Sequence, residues 1–302
     1  LGILVYIYNN SSKYSMINLH SFIRDAKFYK KLIIDDLLFV EYKCLVEETK
    51  AGIWSEVNYF VFVTSGKKMW KSIHKDYVVQ TGDSLFVKKG ANLVHQYFDE
   101  DYCALMVFIS DDFICKFMSR FTSLMQKKAD GLNRTDSVIR ILMDEFLAGY
   151  VHSMASFFGT DAVPNKNLLV HKFEELLLNI FTRPLHRDVA GYLNSLNSSQ
   201  SAQVEQIMEE NFSYRLKLDQ FAQLCNMSLS SFKRTFSSIY NTSPGKWLSE
   251  KRLDFASHLL NASDRSINQV AFDSGFEDTS SFIRAFKQKY SCTPLQYRNS
   301  PA

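Results

Sequence analysis

Cysteine is scarce and scattered in this chain. The five cysteines among 302 residues (Cys44, Cys103, Cys115, Cys225 and Cys292) are odd in number and far apart, with no C-x-x-C pair. That pattern excludes a disulfide framework and supplies no zinc knuckle, so the thiols read as reduced and intracellular. No apolar run approaches the ~20 residues needed to span a bilayer. The opening LGILVYIY lacks the basic flank and small-residue cleavage site of a signal peptide. A soluble cytoplasmic protein with no membrane partner is the expectation. Charge of either sign is in little excess: 35 Lys and Arg against 32 Asp and Glu leave a net +3. That is too small to announce nucleic acid, so any binding surface must come from local arrangement.

Signatures of catalysis are missing as well. There is no G-x-S-x-G, no P-loop and no Rossmann glycine pattern, so the chain is read as no enzyme and as needing no cofactor. A metal site needs a close cluster of His and carboxylate ligands. No H-x-H pair exists, and His74 and His95 stand alone, which reads them as surface or packed histidines. The pair Asp111-Asp112 reads as a helix N-terminus rather than a catalytic dyad.

What is present is apolar bulk, at 46% of residues, and a change of texture along the chain. Up to about residue 110, short β-rich segments such as NYFVFVTSG, DYVVQTGDSLFVKKG and DYCALMVFIS alternate with turn residues, which favours a barrel or sandwich. From 111 to 193 the pattern turns helical; SVIRILMDEFLAGYVHSMASFF and NLLVHKFEELLLNIF repeat apolar residues at three and four. These helices have two readings. They cover the β part, or they offer a two-fold interface through Ile139, Leu142, Met143, Phe146 and Leu147, or through Leu169, Phe173, Leu176, Leu177 and Ile180. A Ser- and Asn-rich stretch at 194–201 reads as a linker, and 202–302 as a further, all-α domain. The fold class is thus α+β and multidomain.

The last domain repeats itself. LDQFAQLCNMSLSSFKRTFSSIYNTSPGKW, from Leu218, lies over INQVAFDSGFEDTSSFIRAFKQKYSCTPLQY, from Ile267, with one residue inserted in the second copy. Ala222 falls on Ala271, Asn226 on Gly275, Phe232 on Phe282, Arg234 on Arg284, Phe236 on Phe286, Tyr240 on Tyr290, Pro244 on Pro294 and Trp247 on Tyr297. Such a match points to one supersecondary unit used twice. In each copy an alanine lets two helices approach, and Asn226 or Gly275 then takes the left-handed turn between them. The second helix is predicted to bury Leu229, Phe232 and Phe236 in the first copy, and Phe282 and Phe286 in the second. Its other face carries Ser230, Lys233 and Arg234, or Thr279, Ser280, Ile283, Arg284 and Lys287. Ser243 and Pro244 open a joining helix as N-cap and first residue, with Trp247, Leu253, Ala256 and Leu260 as its buried stripe. Arg and Lys on an outer face are commonly only a solvated surface. Duplication favours more: two such helices about 34 Å apart would enter successive major grooves of a DNA duplex.

The segment from Val204 to Arg298 resembles the DNA-binding domain of AraC/XylS transcriptional regulators. The pattern is carried by Arg252-Leu253, Ala256, Leu260, Ile267, Val270-Ala271, Gly275-Phe276, Phe282, Phe286-Lys287, Tyr290, Pro294 and Tyr297-Arg298. It departs at Asn226, Asn241 and Ser291, where glycine is usual. The resemblance implies base-facing roles for Ser230, Lys233, Arg234, Thr279, Ser280, Ile283 and Arg284. Lys287, Lys251 and Arg252 follow as candidates for phosphate contacts or salt bridges. Through TGDSLFVKKGANLVH (Thr81–His95), residues 1–110 loosely resemble the cupin-like β-barrel regulatory domain that precedes this DNA-binding unit in the family. It implies a small-molecule effector in the barrel, or a regulatory protein as partner, with RNA polymerase as a further partner, dimerisation through residues 111–193, and activation of transcription as the commoner mode. A cupin enzyme fused to a DNA-binding tail is the remaining alternative.

Overall fold

The computed structural model describes residues 16–43, 50–72, 75–97, 101–122, 136–159 and 164–299. The protein divides into two compact units, one of Ile17–Ser198 and the other from Ser199 onward.

The first unit begins with β1 (Ile17–Asn18) and α1 (Leu19–Asp25), followed by β2 (Lys30–Ile34), β3 (Leu37–Lys43), β4 (Lys50–Ser55), β5 (Asn58–Ser65), β6 (Lys67–Lys71), β7 (Asp76–Gln80), β8 (Ser84–Val87), β9 (Gly90–Gln96) and β10 (Cys103–Ile109). Then come α2 (Asp111–Arg120), β11 (Val138–Ile141), α3 (Glu145–Phe158), α4 (Lys166–Thr182) and α5 (Arg187–Ser195). The strands form two sheets, of order β1-β4-β9-β6-β7 and β11-β8-β5-β10-β3-β2. Among the described residues, only β1 and β4 pair in parallel. The α+β class holds, with the predicted barrel realised as two open sheets, compatible with a cupin-like jelly roll rather than a closed ring.

Strands β5 and β10 are apolar almost throughout because both of their faces are covered. Successive side chains of a strand point to opposite sides. Tyr59, Val61 and Val63, with Ala104, Met106 and Phe108, pack between the sheets against Ile53, Trp70 and Val94 of the smaller sheet. Phe60 and Phe62, with Leu105, Val107 and Ile109, face the other way and pack on the helices through Phe117, Tyr150, Phe173 and Leu177. The order is therefore sheet, sheet, helices. A continuous apolar run marks such a middle layer.

Two predictions for the helical stretch change. Val138–Ile141 is a strand, paired antiparallel with β8, where a helix was expected from Asp136. Val, Ile, Arg and Ile suit a strand beside a half-covered edge, and Asp144 then caps α3 by accepting from the Leu147 amide at 2.9 Å. Of the predicted two-fold surfaces, Leu169, Phe173, Leu176, Leu177 and Ile180 lie in the chain's own core, which removes that set from the surface. In the other set Leu147 is buried and Ile139 partly so, while Leu142, Met143 and Phe146 are exposed.

Asp111 and Asp112 occupy the first turn of α2 behind the N-cap Ser110, as expected. Asp111 also takes part in a buried network. Its carboxylate lies 2.6 Å from Lys89 Nζ and accepts from Asn58 Nδ2 at 2.8 Å. Asn58 Oδ1 accepts from the Lys89 amide and from the Tyr192 hydroxyl, joining β5, the turn before β9, α2 and α5. His95 is half-buried on β9, opposite Met69 and Lys50 in the sheet register. His74, Cys44 and the opening LGILVYIY lie outside the described residues.

Among the described residues the second unit is all helix: α6 (Gln200–Asn211), α7 (Leu218–Leu224), α8 (Leu229–Tyr240), α9 (Pro244–Ala262), α10 (Ile267–Asp273), α11 (Thr279–Tyr290) and α12 (Pro294–Asn299). Ser243 caps α9 and Pro244 is its first residue, as predicted; Trp247, Leu253, Ala256 and Leu260 form its buried stripe. No helix among the described residues is long and apolar enough to cross a membrane.

Candidate nucleic-acid interface

The two copies of the repeat fold alike down to single dihedral angles. Asn226 and Gly275, the predicted turn residues, sit at φ 54° and φ 87°. In each turn the following amide returns to the alanine carbonyl: Met227 N donates to Ala222 O at 2.9 Å and Phe276 N to Ala271 O at 3.0 Å. The next helix is capped by a short polar side chain, Ser228 accepting from the Ser231 amide and Asp278 from the Ser281 amide. Both helices then stop at a left-handed residue, Asn241 at φ 52° and Ser291 at φ 61°. These are the places where the family pattern has glycine. A serine there occupies a region that costs most side chains energy, and it does so to end α11 where Asn241 ends α8.

Below each helix lies the same aromatic triad. Phe236 stacks on Tyr240 with centroids 4.5 Å apart, and both rings meet Trp247 at 5.8 and 5.2 Å. In the second copy Phe286 lies 4.5 Å from Tyr290, and both meet Tyr297, at 5.3 and 5.2 Å. With Phe232, Phe236, Phe282 and Phe286 all fully buried, the rotation of α8 and α11 about their own axes is fixed. Leu229 departs from the predicted buried face: it is 38% exposed. It is the first residue of α8, before the turn at which that face reaches the core, so it lies beside Ser230 and Lys233.

The rotation decides what faces out. Ser230, Lys233 and Arg234 are exposed on α8; Ser280, Ile283, Arg284 and Lys287 are exposed on α11, with Thr279 half-buried at its start. Lys233, Arg234, Arg284 and Lys287 make no ion pair among the described residues. Several other cations of this unit are engaged. Lys251 pairs with Glu209 at 2.8 Å, Arg265 with Asp273 at 2.8 Å, and Lys289 with Asp254 at 2.6 Å. Arg298 donates to Arg265 O. The near-neutral composition therefore hides a sorted surface. Four unpaired positive charges lie on the two outward helix faces, where a polyanion would gain from them.

Arg252 is the residue that sequence reasoning misplaced. As a candidate phosphate contact it should reach solvent, yet its guanidinium donates inward, from Nε to Phe212 O at 2.7 Å and from Nη2 to Tyr214 O at 2.8 Å. Burial pulls its pKa down to about 10, so it stays charged at neutral pH. Lys251 is likewise committed to Glu209, the salt-bridge alternative of its reading. The signal for Arg252 was available only as a charged residue one position before the buried stripe of α9 at Leu253.

Residues 58–192 match the family described as the ExsA N-terminal regulatory domain, and residues 221–300 match a helix-turn-helix domain family. The chain is 26% identical over 254 residues to the thermoregulatory protein LcrF of Yersinia pestis, covering 84% of this chain and 91% of that one. It is 28% identical over 233 residues to the HTH-type transcriptional regulator ExsA of Pseudomonas aeruginosa, covering 77% and 83%. Among solved structures, ToxT from Vibrio cholerae aligns over 87% of this chain and 96% of its own at 12% identity, with a TM-score of 0.42. The chain thus carries an AraC-type helix-turn-helix domain behind an ExsA-like regulatory domain, and the relatives it matches are AraC-family DNA-binding transcriptional regulators, a family that is not enzymatic.

Proposed function

We propose that the protein binds a two-part site on double-stranded DNA by placing α8 and α11 in successive major grooves. Base edges are read by Ser230, Lys233 and Arg234 in one half, and by Thr279, Ser280, Ile283 and Arg284 in the other, with Lys287 on a phosphate. The observation that carries this reading is the set of four unpaired cations on equivalent outward faces of two helices that are otherwise locked by their aromatic triads. Arg is suited to guanine edges and Ile283 to a thymine methyl group. The protein acts in the cytoplasm and contacts RNA polymerase, in the manner of an activator. Residues 202–302 are the DNA-binding domain; residues 1–110, with the segment 111–193, form the regulatory input, joined through 194–201.

That input is a small effector held between the two sheets. Buried His20 Nε2, whose ring lies beside Phe108 of β10, has no hydrogen-bond partner among the described residues, and a polar ligand there would satisfy it. A second reading, in which a protein partner or a second copy docks on the helical side, is favoured by the exposed Leu142, Met143 and Phe146. A small molecule released from the denatured purified protein supports the first reading; a stable one-to-one complex with another protein supports the second.

The deciding experiment is selection from random duplex DNA with the full-length chain, repeated with residues 195–302. Enrichment of two half-sites about one helical turn apart supports the mechanism. If neither form enriches a site, the DNA-contact assignment fails. If only the truncated form does, the regulatory unit restrains binding.

A further inference from the structure

Three parts of the second unit meet at the turn between α6 and α7. From α9, the Arg252 guanidinium bridges two carbonyls of that turn, Phe212 O and Tyr214 O. From the second helix-turn-helix, Gly275 approaches so closely that a Cβ on it would stand 2.7 Å from Ser213 O and 2.9 Å from Arg252 Nε, and its φ of +87° disfavours any side chain. Beside them the Arg215 guanidinium lies over the Phe272 ring of α10, 4.3 Å from its centroid. Phe212 meets Phe255 of α9 edge-on at 5.6 Å.

The arrangement is a joint between the two recognition units. A planar guanidinium that donates to two carbonyls at once fixes both distance and orientation, which a lysine ammonium on a flexible stem does not. Glycine leaves no room for the second unit to slide. The consequence concerns spacing. Moving one half-site by a single base pair shifts it by about 3.4 Å along the duplex and turns it by about 35°. A stiff reader must then release one half; a loose one follows.

We infer that Arg252 is a positioning residue for DNA recognition: through the joint it forms with Ser213 and Gly275 it sets the one half-site spacing the protein accepts. This rests on the two-groove reading above.

The test uses the full-length chain and the duplex it enriches from random DNA, remade with one or two base pairs inserted or removed between the halves. The wild-type chain is expected to lose roughly ten- to hundredfold in affinity on the misphased duplexes, the cost of about one or more good base contacts. Arg252→Ala should bind the original duplex more weakly, yet lose only a few-fold further on misphased ones, with its base preference inside each half unchanged. Arg252→Lys and Arg215→Ala should lie between. A folded Arg252→Ala chain with the wild-type spacing profile overturns the inference. Where that variant does not fold, wild-type profiles in both Arg252→Lys and Arg215→Ala overturn it equally. A wild-type chain that enriches paired halves at no fixed spacing also ends it. Failure of the two-groove reading looks different: the wild-type chain then enriches no two-part site before any variant is made.

Discussion

Lys289 on α11 reaches back to α9 and places its Nζ 2.6 Å from Asp254 Oδ1, an oxygen that also accepts from the Tyr290 hydroxyl at 2.8 Å. Lys289 is three residues from Phe286, so the turn that buries the phenylalanine also turns this lysine away from the outward face. It serves the fold while Lys287, two residues earlier, stays free.

The pair makes stability depend on pH with a definite sign. Burial pulls the Asp254 carboxyl upward, but the hydrogen bonds from Lys289 and Tyr290 outweigh it and hold the pKa below the ordinary 3.8. A carboxyl depressed in the folded state contributes stability above its unfolded pKa and loses it as pH falls through the folded one. Because both side chains are partly exposed, the contribution is about 0.2–1 kcal/mol. Asp254→Asn should therefore melt slightly below the parent at pH 7, and the gap should close below pH 3.8. A gap that stays constant down to the acid range would show that the pair is not what the substitution removed.

The faces of α8 and α11 differ sharply in what they tolerate. Phe232→Ala or Phe286→Ala empties a fully buried site and should cost about 3–5 kcal/mol, through the lost transfer energy and the cavity. Leu229→Ala, at the exposed start of α8, should change stability by no more than about 0.5 kcal/mol. Chemical denaturation of the three variants settles the assignment; a large loss for Leu229→Ala would restore it to the buried face.

Much of this unit was legible in the sequence because a repeat states each rule twice. The turn residues Asn226 and Gly275, the Phe pairs and the outward cations could be read by laying one copy on the other. Leu229 escaped because three-and-four spacing identifies a stripe without saying where along it the core begins. Arg252 escaped because its partners are backbone carbonyls at Phe212 and Tyr214, which carry no side-chain signature. In the first unit the strands were visible as apolar runs, but β11 was not. Four residues between polar ones fit a helix start as well as a strand, and only pairing with β8 decides.

For DNA binding, the free cations should separate by role. Arg234→Ala or Arg284→Ala is expected to cost about 1–3 kcal/mol on the selected duplex and to relax preference at one position of the corresponding half-site. Lys287→Ala should weaken all sequences alike and reduce the slope of log affinity against log salt by about 1, as one phosphate contact is lost. Titrations at several salt concentrations distinguish the two patterns. If both arginine variants bind with unchanged affinity and preference, those side chains do not reach the bases.

The acidic pair at the start of α2 gives the sharpest contrast in the first unit. Asp111 and Asp112 are neighbours of equal charge at the same helix end, so the helix dipole favours both alike. Their surroundings differ. Asp111 faces Lys89, whose side chain is 3% exposed, and is tied through Asn58 to Tyr192, whereas Asp112 meets Lys116 at the surface. Removing Asp111 leaves a lysine charge buried without its partner, so Asp111→Ala should destabilise by about 3–5 kcal/mol. Asp112→Ala should cost about 0–1 kcal/mol. Replacing Lys89 by Met together with Asp111→Leu removes both charges at once and should recover much of the loss, since an ion pair exchanged for apolar groups of similar volume is often neutral. Thermal melts of the two single variants and the double variant test the chain of reasoning. A double variant no more stable than Asp111→Ala alone would mean that the carboxylate acts through its bond to Asn58, holding α2 on the sheet, rather than by neutralising Lys89.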